Sequence, residues 1–205
     1  MLPGPTIIRR CSACKKMIAE HTLTSGNTFG ARYWTDGKRD APMLPVVPWL
    51  VKCPHCRSLI WRDEQEQVEE LEPWLPPGKD QPPVTTPTLQ DYFRAVSTPV
   101  TDAKKEKYIR VHAWWAGNDL RREGDKAVPM SDEEIANLRA LLALLDDAHE
   151  NDRLMKAEAM RELGMFAEAE TLLAGPFCKE LISAVEIIRA LNQQRDSNVA
   201  ELRFE

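Results

Sequence analysis

Apolar positions recur with a different period in the two halves of the chain. From residue 88 onward, large apolar side chains return every three or four residues, which is the spacing of one helical face. Thr88 is a suitable N-cap for the first of these helices, and Pro99 is a suitable stop. The pattern predicts helices over 89–96, 102–117 and 131–149, a helical hairpin around 157–169, and a last helix that starts near 175.

The clearest helix start is a capping box. Ser131 is followed three residues later by Glu134, a spacing at which each side chain bonds the other residue's backbone N–H. One apolar stripe follows, formed by Ile135, Leu138, Leu141, Leu142 and Leu145. Residues 88–205 are therefore predicted to form a mainly α-helical domain.

Residues 1–62 lack this helical period. The segment 28–34 is rich in aromatic residues, and the Asp-Gly pair at 36–37 favours the positive backbone angles of a hairpin turn. Three prolines within 41–50 favour an extended strap over a central strand. The predicted fold class is α+β, with a small N-terminal domain of β-hairpins followed by the helical domain.

A connector is predicted between the two domains, over 63–87. Its first ten residues are mostly acidic, and 73–87 contain six prolines, which deny helix and ladder hydrogen bonds. A stiff, extended segment is the expected result. Trp74 and Leu75 within it are expected to dock on a neighbouring surface, because a free linker has little reason to carry them.

Two cysteine pairs give the N-terminal domain its chemistry. Cys11 and Cys14 are separated by two residues, as are Cys53 and Cys56, so both sulfurs of a pair can reach one ion from a tight turn. We expect a four-cysteine zinc ribbon over 1–62 that holds one structural Zn²⁺ ion and leaves no open coordination position. The 38 residues between the pairs exceed the roughly 15–20 of the simplest pattern. Two disulfides, or four unrelated thiols, are the alternative.

Motifs typical of enzymes and membrane proteins are not found in the sequence. It has no phosphate-binding glycine loop, no His-Glu-x-x-His helix and no glycine-flanked serine, so we expect no catalytic residues and no small-molecule substrate. The longest apolar run, 140–145, is far shorter than the roughly 20 residues that a bilayer requires. Residues 1–25 contain no apolar secretion signal, which favours a cytoplasmic protein.

Charge is unevenly distributed, although its total is only −5. The net charge is +7 over 1–62, −4 over 63–130 and −8 over 131–205. An acidic helical domain attracts a basic protein surface, whereas a basic ribbon can bind nucleic acid. The residues predicted to contact a protein partner are Trp74, Trp114, Asp146, Asp147, Glu150 and Asp152. Solvated helix faces, and a tryptophan in the core, are the alternative interpretations.

One helical segment resembles a known repeat. The small residue Ala157, then Gly164, Phe166 and Ala169, match the turn of a tetratricopeptide helical hairpin. The resemblance implies that Gly164 ends the first helix in a left-handed conformation, that Phe166 fills the crevice between the helices, and that Ala169 permits their close approach. Only one such hairpin is visible, so we expect a compact helical domain and not a solenoid.

The whole layout also resembles uncharacterised bacterial proteins with a split zinc ribbon followed by helices. The residues that carry this resemblance are the four cysteines, the Tyr-Trp-Thr-Asp-Gly sequence at 33–37, the His-Ala-Trp-Trp-Ala-Gly-Asn-Asp sequence at 112–119 and the Arg-Glu-Leu-Gly-Met-Phe sequence at 161–166. Some proteins of that kind look like immunity proteins for secreted antibacterial toxins, including type VI secretion effectors. The resemblance implies the same role here.

Three functional hypotheses follow. The first is a non-enzymatic cytoplasmic immunity protein that binds a basic toxin, such as a nuclease, and covers its active cleft. The second is a nucleic-acid-binding or transcription-associated ribbon, favoured by Arg9, Arg10, Lys15, Lys16, Lys38 and Arg39. The third is a general protein-interaction scaffold in which the helical hairpin holds a peptide.

Overall fold

The computed structural model describes residues 1–98, 100–122 and 128–203. It confirms the α+β class, with antiparallel strands in the N-terminal part of the chain and six α-helices after them. The strands are β1 (Leu2–Arg10), β2 (Met17–Ser25), β3 (Arg32–Trp34), β4 (Arg39–Asp40), β5 (Leu50–Lys52), β6 (Leu59–Trp61), β7 (Glu66–Leu71) and β8 (Glu201–Leu202). The helices are α1 (Leu89–Val96), α2 (Ala103–Arg122), α3 (Asp132–Leu142), α4 (Glu150–Glu162), α5 (Phe166–Leu173) and α6 (Ile182–Gln193).

The chain divides into two compact units, and the first comprises Met1–Ala31 and Asp40–Asp91. Its main sheet has the order β2-β1-β7, with both pairs antiparallel, and a separate hairpin joins β5 to β6. Ile8 on the central strand is fully buried. A second buried cluster, formed by Ile18, Val51 and Ile60 with two of the cysteines, joins the β2 region to the β5–β6 hairpin.

The two edges of the β2-β1-β7 sheet differ. The β2 edge is partly covered by residues 82–84, because the Ala19 N–H donates to Pro82 O at 3.0 Å and the Val84 N–H donates to Ala19 O at 3.0 Å. Within the described residues, β7 pairs with β1 alone. The segment predicted as a connector, 63–87, thus contributes both a strand and this strap. The sequence did not predict strand β7, because glutamate is depleted in strands. The backbone hydrogen bonds that hold β7 against β1 do not depend on apolar side chains.

The second unit comprises Arg32–Arg39 and Tyr92–Glu205. The aromatic hairpin expected within the ribbon therefore groups with the helices. Its strand β3 pairs with the C-terminal strand β8 in a small sheet of order β4-β3-β8. Two apolar clusters form the helical core: one around Trp114, Leu138 and Leu141, and one around Leu173, Val185 and Ile188.

Most helix positions agree with the sequence, and three ends differ. Helix α1 spans the predicted residues, whereas its expected stop, Pro99, lies outside the described residues. Helix α2 continues to Arg122, and α6 begins only at Ile182, after a 3-10 turn. The capping box of α3 is confirmed, but α3 ends at Leu142 and not near 149. The Asp146 carboxylate accepts the Ala148 N–H at 2.9 Å, a local turn that competes with helix.

The turn between α4 and α5 has the predicted geometry. Gly164 has φ of +75°, and the Met165 N–H reaches back to Met160 O at 2.8 Å, so α4 ends in a Schellman motif. Ala169 is fully buried, as expected for a close helix contact. Phe166 is only partly buried, and its ring lies beneath the Arg195 guanidinium, 4.9 Å from the ring centroid. In the part of the chain described here, no helix is long and apolar enough to cross a membrane.

Candidate metal centre

Four cysteine sulfurs converge in the N-terminal unit. The sulfurs of Cys11, Cys14, Cys53 and Cys56 all lie within 4.8 Å of one another, and none is in a disulfide. The distance is 3.9 Å between Cys11 Sγ and Cys56 Sγ, and 3.8 Å between Cys14 Sγ and Cys53 Sγ. The predicted cluster is thus confirmed as a group that can bind a metal ion.

Two similar turns position these cysteines. Cys11 directly follows β1, and its N–H bonds Lys16 O at 3.0 Å while its carbonyl accepts the Lys15 N–H at 2.8 Å. Cys53 directly follows β5 and repeats the pattern with Ser58 and Arg57, each bond measuring 2.9 Å. Each turn closes onto a returning strand, β2 or β6. Both sulfurs of each pair therefore project from a hydrogen-bonded loop toward the same point.

The donor set and spacing fit a tetrahedral ion. Metal–sulfur bonds of about 2.3 Å at tetrahedral angles place sulfur atoms about 3.8 Å apart, close to the two separations above. Burial raises the pKa of the Cys53 thiol to about 12, whereas hydrogen bonds from Ser58 lower that of Cys56 to about 6. A bound cation deprotonates coordinating thiols outright. His55 is not part of the set, since its Nε2 lies 2.9 Å from Met17 O.

Two buried polar side chains join separate segments of this unit, and one of them, Gln65, reaches a cysteine turn. Gln65 accepts the Ser12 N–H through Oε1 and donates through Nε2 to Trp61 O, both at 2.8 Å. The Glu20 carboxylate forms ion pairs with Arg9 at 2.8 Å and with Arg62 at 3.2 Å. Neither was anticipated, because the partners are far apart in sequence and no local motif marks them.

A second buried ion pair lies in the same unit. Lys52 follows Val51 on β5, and its Nζ lies 2.8 Å from one Asp91 oxygen and 3.1 Å from the other. Thr88 also donates to Asp91, from its N–H and its hydroxyl. Burial alone raises the pKa of the Asp91 carboxyl, but the hydrogen bonds from Lys52 and Thr88 prevail and lower it to about 2. Asp91 is therefore a carboxylate throughout the neutral range.

The two tryptophans predicted to contact a partner lie in different environments. Trp74 is 76% exposed, in a turn closed by the Leu75 N–H and Glu72 O at 2.9 Å. Trp114 is only 3% exposed, and its indole N–H donates to Glu162 at 2.9 Å. The structure therefore corrects the assignment of Trp114 to a contact surface. The helical stripe that carries it faces the core, which was the alternative interpretation.

The predicted acidic cluster is largely satisfied within the helical unit. Asp147 pairs with Lys156 at 2.6 Å, and Asp152 pairs with Lys107 at 2.5 Å. Glu150 accepts the Cys178 N–H at 3.1 Å. Asp146 is exposed and accepts the Ala148 N–H. The structure thus brings Asp146, Asp147, Glu150 and Asp152 into one region, but local partners already offset part of its charge.

A buried polar centre was missed by the sequence. The Asn118 amide donates to Asp36 Oδ2 at 2.9 Å and lies 3.1 and 3.2 Å from the two Glu162 oxygens. Arg122 also donates to Asp36 Oδ2, and the Trp115 indole donates to the Asp36 carbonyl at 3.0 Å. The turn after β3, which contains Asp36, is therefore fixed by polar contacts to α2.

Burial changes the acidity of this polar centre. It raises the pKa of Asp36 to about 6, although Arg122 and Asn118 favour the carboxylate. It raises the pKa of Glu162 well above its usual range, and Glu158 and Asp36 nearby add to that shift. Asp36 and Glu162 thus both hold a proton more tightly than an exposed carboxyl group does. Glu158, in the same region, forms an ion pair with Arg161 at 2.5 Å, and both side chains are fully buried.

Comparison of the chain with protein-family models, with curated proteins and with solved structures finds no match.

Proposed function

We propose that this chain is a non-enzymatic protein-binding protein whose N-terminal unit is stabilised by one structural zinc ion. Zinc is the metal that four thiolates in a tetrahedral arrangement suit best, and four protein ligands leave no position for a substrate. The ion would join two loops that share only a small apolar core. Metal binding therefore acts as folding energy for this unit.

The observation that carries the binding function is the concentration of exposed apolar side chains in the N-terminal unit. Large apolar side chains that stand open to solvent in contiguous groups mark interaction surfaces, and tryptophan is enriched where partners bind. Among the residues that the structure describes, nine of the twelve exposed large apolar ones belong to this unit: Met1, Leu2, Phe29, Met43, Val46, Trp49, Val68, Trp74 and Leu75.

The partner that fits the charge of the chain is a basic protein. Residues 131–205 carry a net charge of −8, and the exposed carboxylates of the helical unit include Glu168, Glu180 and Glu186. Complementary charge accelerates association and suppresses wrong partners. The most specific form of the proposal is an immunity protein that binds a secreted antibacterial toxin, such as a nuclease whose cleft is basic, and blocks that cleft.

Co-expression tests this function directly. Cells that produce a basic toxin encoded beside this chain should grow only when the chain is also produced, and the two purified proteins should form a complex at micromolar concentration. A variant with Cys53→Ser and Cys56→Ser should lose protection if the metal-stabilised unit is needed, whereas Cys178→Ser should protect fully. Equal survival without the chain would refute the immunity role.

A second candidate, nucleic-acid binding, is favoured by the cysteine turns. Lys15, Lys16 and Arg57 are exposed beside the cluster and have no charged partner among the described residues. Other predicted contacts are engaged: Arg9 with Glu20, Arg10 with Glu66 and Lys38 with Asp119. Fluorescence anisotropy with a labelled DNA duplex tests this function. Charge reversal of all three free residues should abolish any binding that weakens steeply with salt.

A further inference from the structure

We infer that the free edge of β7 binds an extended, basic polypeptide segment by strand addition. The surface, here called the β7 edge, comprises β7 (Glu66–Leu71) with Glu72 and Pro73 at its C-terminal end. The inference rests on the proposed protein-binding function, and it adds both the surface and the chemistry of the partner.

The backbone of β7 supplies the first part of the argument. A strand with one neighbour presents unpaired N–H and C=O groups along its other side, and an incoming strand can pair with them. Within the described residues, β1 is the sole neighbour of β7, whereas the opposite edge of the sheet is partly covered by residues 82–84. Six residues at about 3.4 Å each give an edge about 20 Å long, enough for a peptide of about six residues.

Charge identifies the incoming segment. Glu69, Glu70 and Glu72 are exposed and have no basic partner among the described residues, while Glu66 pairs with Arg10 at 3.1 Å. A second copy of β7 would place like charges opposite one another, which disfavours edge-to-edge pairing between copies. A segment rich in lysine or arginine meets the opposite condition, because its side chains would lie across from unpaired carboxylates.

A groove at the end of β7 fits one side chain of such a segment. Its volume is about 320 Å³, and its lining residues are Pro5, Glu70, Leu71, Glu72 and Pro73. Pro5, Leu71 and Pro73 offer apolar surface to an aliphatic stem, while the two carboxylates are available to a charged head group. Lysine and arginine combine these features. Trp74, 76% exposed in the turn that follows, offers further apolar contact.

The test uses the full chain and a nine-residue peptide of alternating arginine and valine, blocked at both ends. Calorimetry at low ionic strength should detect binding of this peptide, and no binding of the matched peptide of alternating glutamate and valine. Glu70→Lys with Glu72→Lys should weaken binding about tenfold or more. Glu180→Lys with Glu186→Lys, which changes the same charge on the helical unit, should weaken it less than about twofold.

Amide hydrogen exchange in the wild-type chain locates the bound peptide without any variant, so the test does not depend on whether the Glu70→Lys, Glu72→Lys chain folds. In the wild-type chain, the peptide should slow exchange in residues 66–71 and leave α5 and α6 unchanged. Absent binding, equal losses in the two charge-reversal variants, or protection elsewhere would overturn the inference. A basic protein partner that binds the wild-type chain and the β7-edge variant equally well would also overturn it, while leaving the proposed function intact. If the peptide binds as expected but no protein partner is found, the strand-addition inference stands and the proposed function fails.

Discussion

Lys15 and Arg57 occupy equivalent positions in the two cysteine turns. Each follows the second cysteine of its pair, and each has a left-handed backbone, with φ of 65° and 64°. This conformation costs a residue with a Cβ roughly 1 kcal/mol, whereas glycine adopts it freely. Both turns therefore retain a strained residue at the position where glycine fits best, and both use a basic one.

Lys15→Gly and Arg57→Gly should each stabilise the N-terminal unit, by about 0.5–1 kcal/mol, because they relieve this conformational cost. The measurement is thermal unfolding together with metal retention against a chelator. Lys16→Gly is the matched control. Lys16 does not have a positive φ, so Lys16→Gly should destabilise the N-terminal unit, since glycine there only adds freedom to the unfolded chain. Equal responses at positions 15 and 16 would contradict the assigned turn.

The purified chain should contain one zinc ion, held by Cys11, Cys14, Cys53 and Cys56. Cys53→Ser with Cys56→Ser should abolish metal retention and unfold the N-terminal unit, because the ion stabilises the folded form alone. Metal analysis and amide exchange measure these two effects. Cys178→Ser serves as the control, since Cys178 is exposed and outside the cluster. A metal-free preparation with the same protection in β1 and β5 would rule out the structural role.

The turn between α4 and α5 predicts a different loss. Gly164→Val should destabilise the helical unit by roughly 1 kcal/mol or more, because a β-branched residue tolerates φ of +75° poorly. No atom lies within 4 Å of the position that a Cβ would take, so the cost is conformational and not a clash. Gly164→Asn should therefore cost less than Gly164→Val. A melting temperature that is the same for both variants would argue against this cause.

Local motifs explain what the sequence predicted. The cysteine pairs, the Ser131 capping box and Gly164 each depend on residues within five positions, so their spacing alone specifies the geometry. Strands β1 and β7 do not follow this rule. The Pro-Gly-Pro sequence at 3–5 hides β1 behind turn signals, and the register shifts between Pro3 and Thr6. Strand β7 is acidic and exposed, so it lacks the apolar alternation by which strands are predicted.

Long-range polar contacts were beyond prediction for another reason. Asn118 and Asp36 are 82 positions apart, and Asn118 and Glu162 are 44 apart. In the sequence each looks like an ordinary surface residue, since polar residues are mostly exposed. Only the fold brings them together, where burial requires each to find a hydrogen-bond partner. The Trp114 assignment failed likewise, because helical spacing alone does not say which face is buried.

Acid should weaken the N-terminal unit through Asp91. The pKa of Asp91 is about 2 in the folded chain, against an ordinary value of 3.8. A lowered carboxyl pKa gives stability that is present above pH 4 and is lost as the pH falls toward 2. The contribution is about 2 kcal/mol. At pH 6, the amides of β5 should be better protected from exchange in the wild-type chain than in Asp91→Asn. This difference in protection should disappear near pH 2. A difference independent of pH would contradict this.

The helical unit should show the opposite dependence through Asp36. Burial raises the pKa of Asp36 from 3.8 to about 6, so the folded state binds a proton more tightly than the unfolded state. Stability from this group is full below pH 4 and is lost as the pH rises through 6, by about 2–3 kcal/mol. Glu162 shifts in the same direction and adds to the effect.

The slope with pH is the quantity that isolates Asp36. Asp36→Asn keeps one acceptor oxygen but cannot ionise, so the free energy of unfolding of this variant should fall less than that of the wild type between pH 4 and 7. Asp36→Asn also changes the contact with Arg122 and therefore the absolute stability of the variant, and the comparison of slopes removes that constant difference. Asp146→Asn, an exposed site, is the control and should retain the wild-type slope. If the free energy of unfolding of the wild type is constant or rises between pH 4 and 7, the contacts with Arg122 and Asn118 outweigh burial, and Asp36 is ionised throughout that range.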